Sequence, residues 1–274
     1  MMMLADRSVI VTGAGAGLGR AYALACADAG AFVVVNDVNA AAAERVSAHI
    51  TAAGGRAIAD SGSVASWDDM RDLVAACVGK SGRLDALVAN AAIRHEALPW
   101  DEAEADLRRT VDINVLGVQF PSVHAMRAMV DAGTGGAILT VVSGARLGLG
   151  GMSAYGASKG AVAAMTAGWA VDGVEVGIRV NALSPLAATD MSRSDTRTDI
   201  SAFPDPQAVA PVVPAILAES FRGMTGRVIR FDGHTLTPYA LDRLDDRSVA
   251  RSAWDSSTIA GTLGEWFGDA PMDR

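Results

Sequence analysis

The sequence predicts an α/β protein in which a mostly parallel sheet of about seven strands is flanked by helices on both faces. Three observations support this prediction. Short apolar runs alternate with longer helical patterns along most of the 274 residues. A glycine-rich turn joins the first apolar run to the first helical pattern. Hydrophobic residues make up 50% of the chain but aromatics only 5%, and Ala, Val and Leu suit helices packed on a parallel sheet.

Each element is predicted from its local pattern. Strands are short runs rich in Val, Ile, Leu or Ala that Gly or polar residues bound, and helices are longer stretches with apolar residues at helical spacing. The predicted strands are residues 8–11, 31–37, 56–59, 84–90, 137–142, 178–183 and 227–231. The predicted helices are residues 20–29, 40–53, 67–78, 101–130 and 154–171.

Length and composition predict one domain, residues 1–274, with residues 234–274 as its polar C-terminal extension and residues 189–206 as a loop or lid. The net charge of −8 argues against non-specific nucleic-acid binding. No apolar run reaches the roughly 20 residues of a membrane span, so no membrane partner is expected. Cys26 and Cys77 show no metal-ligand spacing, which predicts buried free thiols, a cytoplasmic location and no metal site.

The glycine-rich turn, residues 12–19, stands between the first strand and the first helix. Glycines let the backbone approach a pyrophosphate, and a helix N-terminus offers N–H donors and the positive end of its dipole. A flexible Ala/Gly turn is the alternative, but the strand–turn–helix context favours a dinucleotide site. The candidate binding residues are Gly13, Gly15, Ala16, Gly17, Leu18 and Gly19.

Asp37 ends the second predicted strand, about 20 residues beyond the glycine-rich turn. An acid at this position bonds the adenosine ribose hydroxyls and repels a 2′-phosphate. No Lys or Arg stands in the turn before Gly17, and none immediately follows Asp37. NAD is therefore the predicted cofactor. A helix N-cap is a compatible alternative role for Asp37.

Tyr155 and Lys159 lie four residues apart, so a helix places them on one face. An ammonium near a phenol favours the phenolate and lowers its pKa from the usual value of about 10. The pair can then exchange a proton with a substrate hydroxyl or carbonyl. Two amphipathic residues on a surface helix are the alternative, which the upstream glycine-rich turn disfavours.

With these motifs, the chain resembles the short-chain dehydrogenase/reductase family over about residues 5–233. The resemblance implies a Rossmann-type doubly wound sheet and two further catalytic residues, Asn114 and Ser143. It also implies that Tyr155 and Lys159 contact the cofactor. The other cofactor-binding residues that it implies are Val38, Ser63, Val64, Asn90, Ala91, Ala92, Pro185, Leu186 and Thr189.

The sequence departs from the family pattern at several of these positions. The Ser143–Tyr155 separation is one residue shorter than usual, and the glycine-rich loop 144–152 can absorb the contraction. Ser63 stands where the family has Asp, and Leu186 replaces a glycine near the nicotinamide. The family's Asn-Asn-Ala-Gly motif appears as Ala-Asn-Ala-Ala at residues 89–92.

The implied activity is NAD-dependent hydride transfer between nicotinamide and a secondary alcohol or ketone. Tyr155 is expected to be the general base in oxidation, Lys159 to lower its pKa, and Ser143 to hold the substrate oxygen. Asn114 is expected to anchor a water that links Lys159 to solvent. Two other interpretations stay open, a non-catalytic NAD(H)-binding sensor or scaffold and an NADP-linked carbonyl reductase.

The substrate is expected to be hydrophobic, because Leu147, Leu149 and Met152 predict an apolar wall. Residues 36–38, residues 63–64 and the tail resemble the dehydrogenase domain of peroxisomal multifunctional enzymes and steroid dehydrogenases, which implies a steroid-like or 3-hydroxyacyl substrate. Three basic residues near the predicted pocket suggest an anionic group or, alternatively, solvated loop charges. They are Arg94, His95 and Arg146. The resemblance also implies a homotetramer or homodimer.

Overall fold

The structure is a computed structural model that describes residues 2–189, 203–219, 223–240 and 265. The chain divides into two compact units, Met1–Tyr239 and Ala240–Arg274. The first unit contains every predicted strand and helix and also residues 234–239. The assignment of residues 240–274 to the same domain stays a prediction, because nearly all of them lie outside the described residues. Most of the predicted lid, residues 190–202, also lies outside them.

One sheet runs through the first unit. Its strands are β1 (Ser8–Thr12), β2 (Phe32–Asn36), β3 (Arg56–Asp60), β4 (Ala86–Ala89), β5 (Gly136–Val141), β6 (Ile178–Pro185), β7 (Val228–Phe231) and β8 (Leu236–Pro238). They lie in the order β3-β2-β1-β4-β5-β6-β7-β8. The first seven are parallel to their neighbours, whereas β8 pairs antiparallel with β7. The predicted seven-stranded parallel sheet is confirmed, and β8 is an addition that the sequence did not predict.

Helices cover both faces of the sheet. They are α1 (Gly17–Asp28), α2 (Ala40–Ala52), α3 (Trp67–Ser81), α4 (Glu104–Val111), α5 (Gly117–Ala132), α6 (Ser153–Asp172), α7 (Pro206–Val209) and α8 (Val212–Leu217). The long helix predicted for residues 101–130 is in fact two helices, α4 and α5, joined by a π-helical turn, Asp112–Leu116. Such wider turns inside α-helices are often found at functional sites, and this one contains Asn114.

Two apolar layers hold the helices on the sheet. Successive side chains of a strand point to opposite faces. Along β1, therefore, Val9 and Val11 lie in one layer and Ile10 lies in the other. Buried residues of α1, α2 and α8 complete the first layer, and those of α3, α5 and α6 complete the second. The doubly wound, Rossmann-type architecture predicted from the sequence is thus confirmed.

The strand order reverses between β1 and β4, because the chain builds outward from β1 to β3 and then returns to the other side of β1. Both strands are parallel, so their carboxyl ends meet at the same edge of the sheet. In open α/β sheets, this point of reversal leaves a crevice in which ligands bind. The candidate site lies at this edge.

Candidate active site

The glycine-rich turn at the end of β1 has the backbone geometry that its glycines predict. Gly13 and Gly17 have positive φ angles of 63° and 52°, which favour glycine. A Cβ at Gly19 would lie 2.0 Å from the carbonyl oxygen of Gly13, so the turn has no room for a side chain there. Ala16 makes no side-chain cap at the N-terminus of α1, and no acid stands in its first turn. The first N–H groups of α1 are thus without a side-chain cap, as phosphate binding requires.

Hydrogen bonds between Thr12, the last residue of β1, and Asn90, which follows the neighbouring strand β4, hold this turn in place. The Asn90 amide nitrogen Nδ2 donates to the carbonyl oxygens of Thr12 (2.9 Å) and Gly13 (3.2 Å). In return, the Thr12 hydroxyl accepts from the backbone N–H groups of Asn90 and Ala91, both at 3.1 Å. Thr12 was absent from the sequence-based candidates, although its position directly before the glycines was a usable signal.

Asp37 lies against the glycine-rich turn. Its Oδ2 accepts from the backbone N–H of Gly15 at 2.9 Å, and its Oδ1 accepts from that of Asn39 at 2.9 Å. The alternative role as helix cap belongs instead to Asn39, whose side chain accepts from Ala42 N at the start of α2. The carboxylate therefore stands where the turn and the end of β2 meet, next to a Val38 side chain that is 70% exposed.

The other predicted cofactor residues lie around the same crevice. Ser63 N donates to Asp69 Oδ2 at 2.8 Å, and Val64 is buried beneath Gly117, where a Cβ would lie 2.7 Å from Val64 Cγ2. Thr189 Cγ2 lies 3.6 Å from the place that a Cβ would take at Gly17, so this threonine faces the glycine-rich turn. Ala92 directly follows Asn90 and Ala91, whose backbone N–H groups donate to Thr12. Pro185 is the last residue of β6, and the backbone N–H of Leu186 donates to Phe231 O at 3.1 Å.

Ser143, Tyr155 and Lys159 come together at the carboxyl end of β5. Ser143 begins a short 3₁₀ turn, Gly144–Leu147, and its hydroxyl accepts from Ala145 N at 3.2 Å. Tyr155 and Lys159 lie in the first two turns of α6, with side chains that are buried. Lys159 Nζ donates to Val141 O at 2.9 Å and lies 5.8 Å from the centre of the Tyr155 ring. The shortened serine–tyrosine spacing thus still brings the three residues into one cluster.

Burial dominates the electrostatics of this cluster. It raises the pKa of Tyr155 above its usual value, against the opposing effects of a hydrogen bond with Ser143 and of the Arg94 charge. Burial also lowers the pKa of Lys159 to about 8. The expectation of a lowered tyrosine pKa is therefore wrong for the protein alone, because the loss of hydration raises the pKa of Tyr155 by more than Ser143 and Arg94 lower it. Arg94, which was not assigned this effect from the sequence, is the cation that opposes the shift.

Asn114 connects two sides of the site. Its Oδ1 accepts from Ile93 N at 2.8 Å, and its Nδ2 donates to Ile93 O at 2.8 Å and to Ser158 Oγ at 3.1 Å. Ser158 in turn donates to Tyr155 O at 2.7 Å. The side chain is fully buried. These bonds fix the segment after β4 against α6, while the water-anchoring role of Asn114 stays a prediction.

Two of the basic residues named from the sequence, Arg94 and His95, are only slightly exposed to solvent. Arg94 forms an ion pair with Glu96, and its side chain is only 13% exposed. His95 Nε2 lies 2.7 Å from Glu102 Oε2, with side-chain exposures of 18% and 9%. Both side chains are therefore largely shielded from water, and the charge of Arg94 acts in a partly dehydrated environment.

Tyr239 is a residue of the site that the sequence analysis left in an unassigned tail. Its hydroxyl lies 3.3 Å from Ser184 Oγ, and the guanidinium of Arg146 lies 4.9 Å from the centre of its ring. It reaches the site because the chain reverses after β7. At this reversal Asp232 accepts from His234 N and Thr235 N, and Gly233 has a φ of 83°. The Asp-Gly pair after a predicted strand was the signal for this turn.

Comparisons with known proteins agree with this geometry. The model of the short chain dehydrogenase family matches residues 7–199. The chain is 30% identical over 236 residues to a cyclohexanol dehydrogenase from Acinetobacter sp., covering 83% of this chain and 94% of that protein. It is 35% identical over 242 residues to the cis-4-hydroxycyclohexanecarboxylate dehydrogenase of Sinomonas cyclohexanicum, covering 84% and 96%.

A solved structure is similar as well. It is a 7α-hydroxysteroid dehydrogenase complexed with NADH and 7-oxo glycochenodeoxycholic acid, and it is 32% identical, with a TM-score of 0.79 and coverage of 85% of this chain and 95% of that one. The chain belongs to the short-chain dehydrogenase family, as the sequence predicted. Membership makes it an oxidoreductase of a family that uses nicotinamide cofactors.

The described residues include no helix that is long and apolar enough to cross a membrane. They also include two free cysteines, Cys26 and Cys77, and both are buried, as predicted.

Replacing Lys159 by Met tests the cost of the buried ammonium. The unfolded lysine holds its proton up to a pH of about 10.5, but the folded one holds it only up to about 8. Between these values the unfolded chain binds more protons, so wild-type stability rises with pH relative to Lys159→Met. We expect a relative rise of about 2 kcal/mol from pH 7 to pH 10, measured by urea denaturation of both proteins. A difference between them that does not change with pH would contradict the assigned environment.

Proposed function

We propose that this protein is an NAD-dependent dehydrogenase that interconverts a secondary alcohol and a ketone on a hydrophobic, ring-shaped substrate. The single observation that supports this best is the buried cluster of Ser143, Tyr155 and Lys159 beside a glycine-rich turn. A phenol, a hydroxyl and an ammonium at one point suit the removal of a proton from an alcohol.

In the proposed oxidation, the substrate hydroxyl lies between the Ser143 and Tyr155 hydroxyls. Ser143 holds the substrate oxygen by a hydrogen bond, and the deprotonated Tyr155 accepts the hydroxyl proton as the C–O double bond forms. A bound nicotinamide dinucleotide would supply the acceptor for the hydride that leaves the carbinol carbon. The hydrogen bond with Ser143 and the charge of Arg94 favour the tyrosinate against the effect of burial, and a protonated Lys159, 5.8 Å from the ring centre, would add to them. Reduction reverses each step.

The dinucleotide would lie along the glycine-rich turn. Its pyrophosphate would meet the uncapped N–H groups at the start of α1, and Thr189 stands over the same turn. Val38, Ser63, Val64 and the segment after Asn90 would line the remainder. We propose NAD rather than NADP because the Asp37 carboxylate stands against Gly15, where it would repel a 2′-phosphate.

A ring-shaped alcohol is supported by the names of the relatives, which refer to cyclohexanol, a hydroxycyclohexane and a steroid. None of these names refers to a 3-hydroxyacyl substrate. Within the site, Met152, Ala145 and Tyr155 form an apolar cluster, and Leu147 and Leu149 are exposed at its rim. Apolar rim residues of this kind suit a hydrophobic substrate.

A sensor or scaffold without turnover is the alternative from another class. A protein that only binds a dinucleotide has no need of a buried lysine, which lowers folding stability. The cluster at β5 therefore favours catalysis.

We expect the purified protein to produce NADH, followed at 340 nm, from cyclic secondary alcohols with NAD. Tyr155→Phe should lower kcat by at least about 1000-fold, because the general base is lost, while NADH affinity changes only a few-fold. Tyr22→Phe is the matched control, since Tyr22 is buried in α1 and its hydroxyl has no partner among the described residues. Wild-type rates in Tyr155→Phe would exclude its proposed role. Absence of turnover by the wild type on every alcohol, with either cofactor but with NADH bound, would favour the sensor.

Asp37→Ala should raise the ratio of kcat/KM with NADP to that with NAD by at least about tenfold. Removal of the carboxylate removes its repulsion of the 2′-phosphate and its bonds to the ribose, and tenfold corresponds to about 1.4 kcal/mol. Asp28→Ala, which removes an exposed charge from α1, is the control. An unchanged ratio in Asp37→Ala would remove the basis for the NAD preference.

We also propose a homotetramer or homodimer that forms through α4, α5 and α6. Three large apolar side chains on α4 and α6 are exposed to solvent, those of Leu107 (39%), Val111 (48%) and Val171 (74%). Contact with another copy of the chain would cover them. Light scattering at micromolar concentration should give a mass of two or four chains, and a monomer would contradict the proposal. A cytoplasmic location is supported by the two free thiols.

A further inference from the structure

The β7–β8 hairpin brings positive charge to the residue next to Ser143. A Cβ added at Gly144 would lie 3.7 Å from Arg230 Nη1 and 3.7 Å from the Tyr239 hydroxyl. These two polar groups therefore occupy one small region beside the 3₁₀ turn that begins at Ser143. Consecutive Cα atoms are about 3.8 Å apart, so this region lies within the reach of a ring substrate held at Ser143.

Arg146 adds a second guanidinium to the same region. Its Cζ lies 4.9 Å from the centre of the Tyr239 ring, a distance at which a cation over an aromatic face is attracted. Arg146, Arg230 and Tyr239 are all half-buried. We call these three residues the basic wall. Partial burial strengthens the field of a charge, because less water screens it.

Tyr239 is held in place by its backbone and by its hydroxyl. Its backbone N–H donates to Val228 O at 2.9 Å, and this bond fixes the residue at the end of β8. Its hydroxyl lies 3.3 Å from Ser184 Oγ, and Ser184 is almost fully buried. If the Ser184 hydroxyl donates to Tyr239, the phenolic proton is left to point at a ligand acceptor.

The charge of Arg230 is not neutralised within the described part of the chain, where this residue forms no ion pair. The nearby carboxylate that interacts with it over a distance is Asp232. That carboxylate already accepts from His234 N and Thr235 N in the hairpin turn. On the other side of the site, Arg94 adds further positive charge near Tyr155, and its ion-pair partner there is Glu96.

We propose that the basic wall binds a carboxylate of the substrate, so that the substrate is a ring alcohol bearing a carboxylate group across the ring from its hydroxyl. A guanidinium presents paired N–H donors that match the two oxygens of a carboxylate. The phenol of Tyr239 adds a further donor. This inference rests on the proposed function, because the wall recognises a group of the same molecule whose hydroxyl lies at Ser143 and Tyr155.

Two substrates that differ mainly by the carboxylate test the inference. The wild type should show a kcat/KM at least tenfold higher for cis-4-hydroxycyclohexanecarboxylate than for cyclohexanol. Arg230→Gln should lower this ratio at least tenfold, because the main charge facing the carboxylate is lost. Tyr239→Phe should lower it less, since only one donor is removed. Arg227→Gln, which removes an exposed charge just before β7, is the matched control and should keep the wild-type ratio.

A binding measurement on the wild type keeps the test independent of turnover and of how the variants fold. Cyclohexanecarboxylate has no hydroxyl to oxidise, and cyclohexanecarboxamide is its neutral counterpart of the same shape. In calorimetric titrations of the NADH-loaded protein, the carboxylate should bind at least tenfold more tightly than the amide. The difference should shrink as salt is added, because screening weakens charge recognition.

The outcomes separate this inference from the proposed function. Turnover of cyclohexanol with no preference for the carboxylate substrate, together with equal binding of carboxylate and amide, would overturn the inference and leave the dehydrogenase proposal intact. Tighter binding of the carboxylate without turnover of either alcohol would retain the basic wall and count against catalysis. If Arg230→Gln and Arg227→Gln lowered the ratio of the two kcat/KM values equally, the preference would come from the general charge of the surface. That result would overturn the inference.

Discussion

The candidate site depends on the hydrogen bonds that join β1 to β4 where the strand order reverses. Four bonds join the two sides: Asn90 donates to Thr12 Oγ1, Thr12 O and Gly13 O, and the backbone N–H of Ala91 donates to Thr12 Oγ1. Ile93 follows Asn90 by three residues. The Asn114 side chain bonds to both backbone groups of Ile93 and donates to Ser158, which in turn donates to Tyr155 O. One connected network therefore fixes the glycine-rich turn and the tyrosine helix in a common frame. Since its members are buried or partly buried, loss of one partner leaves a polar group without a hydrogen bond, at a cost of about 1–3 kcal/mol.

The burial that shields this network from water also disfavours the charged forms of two residues in the site. Tyr155 and Lys159 are both placed where water cannot hydrate their charged forms, so the tyrosine resists losing its proton and the lysine resists keeping its own. The two shifts move the two pKa values apart, so that the buried lysine loses its proton at a lower pH than the buried tyrosine does. Ser143 and Arg94 oppose the shift at the tyrosine. Burial of the Lys159 ammonium costs folding stability, because its charged form loses hydration.

Much of the site was predictable because its residues are close to one another in sequence or stand at strand ends. The glycine-rich turn, Asp37 and the tyrosine–lysine pair each follow from a short pattern and a local element, and the structure places them along one crevice. Asn114 was predicted by resemblance, but the π-helical turn that points its amide at Ile93 was not. A pattern of apolar spacing does not separate a continuous helix from one that contains a single wider turn.

By itself, the sequence determined the alternation of strands and helices, the strand–turn–helix at its start and the spacing of the tyrosine and lysine, since each follows from a local pattern. Only the tertiary structure decided which distant residues surround them. The direction of the tyrosine pKa shift follows from how many atoms bury the phenol, and that number comes from the packing of α6 on the sheet. Likewise, Tyr239 lies beside Gly144 only because β8 turns back on β7, and Arg230 lies there because β7 pairs with β6. Such convergence of residues almost a hundred positions apart in the chain is a property of strand pairing, which local patterns do not encode.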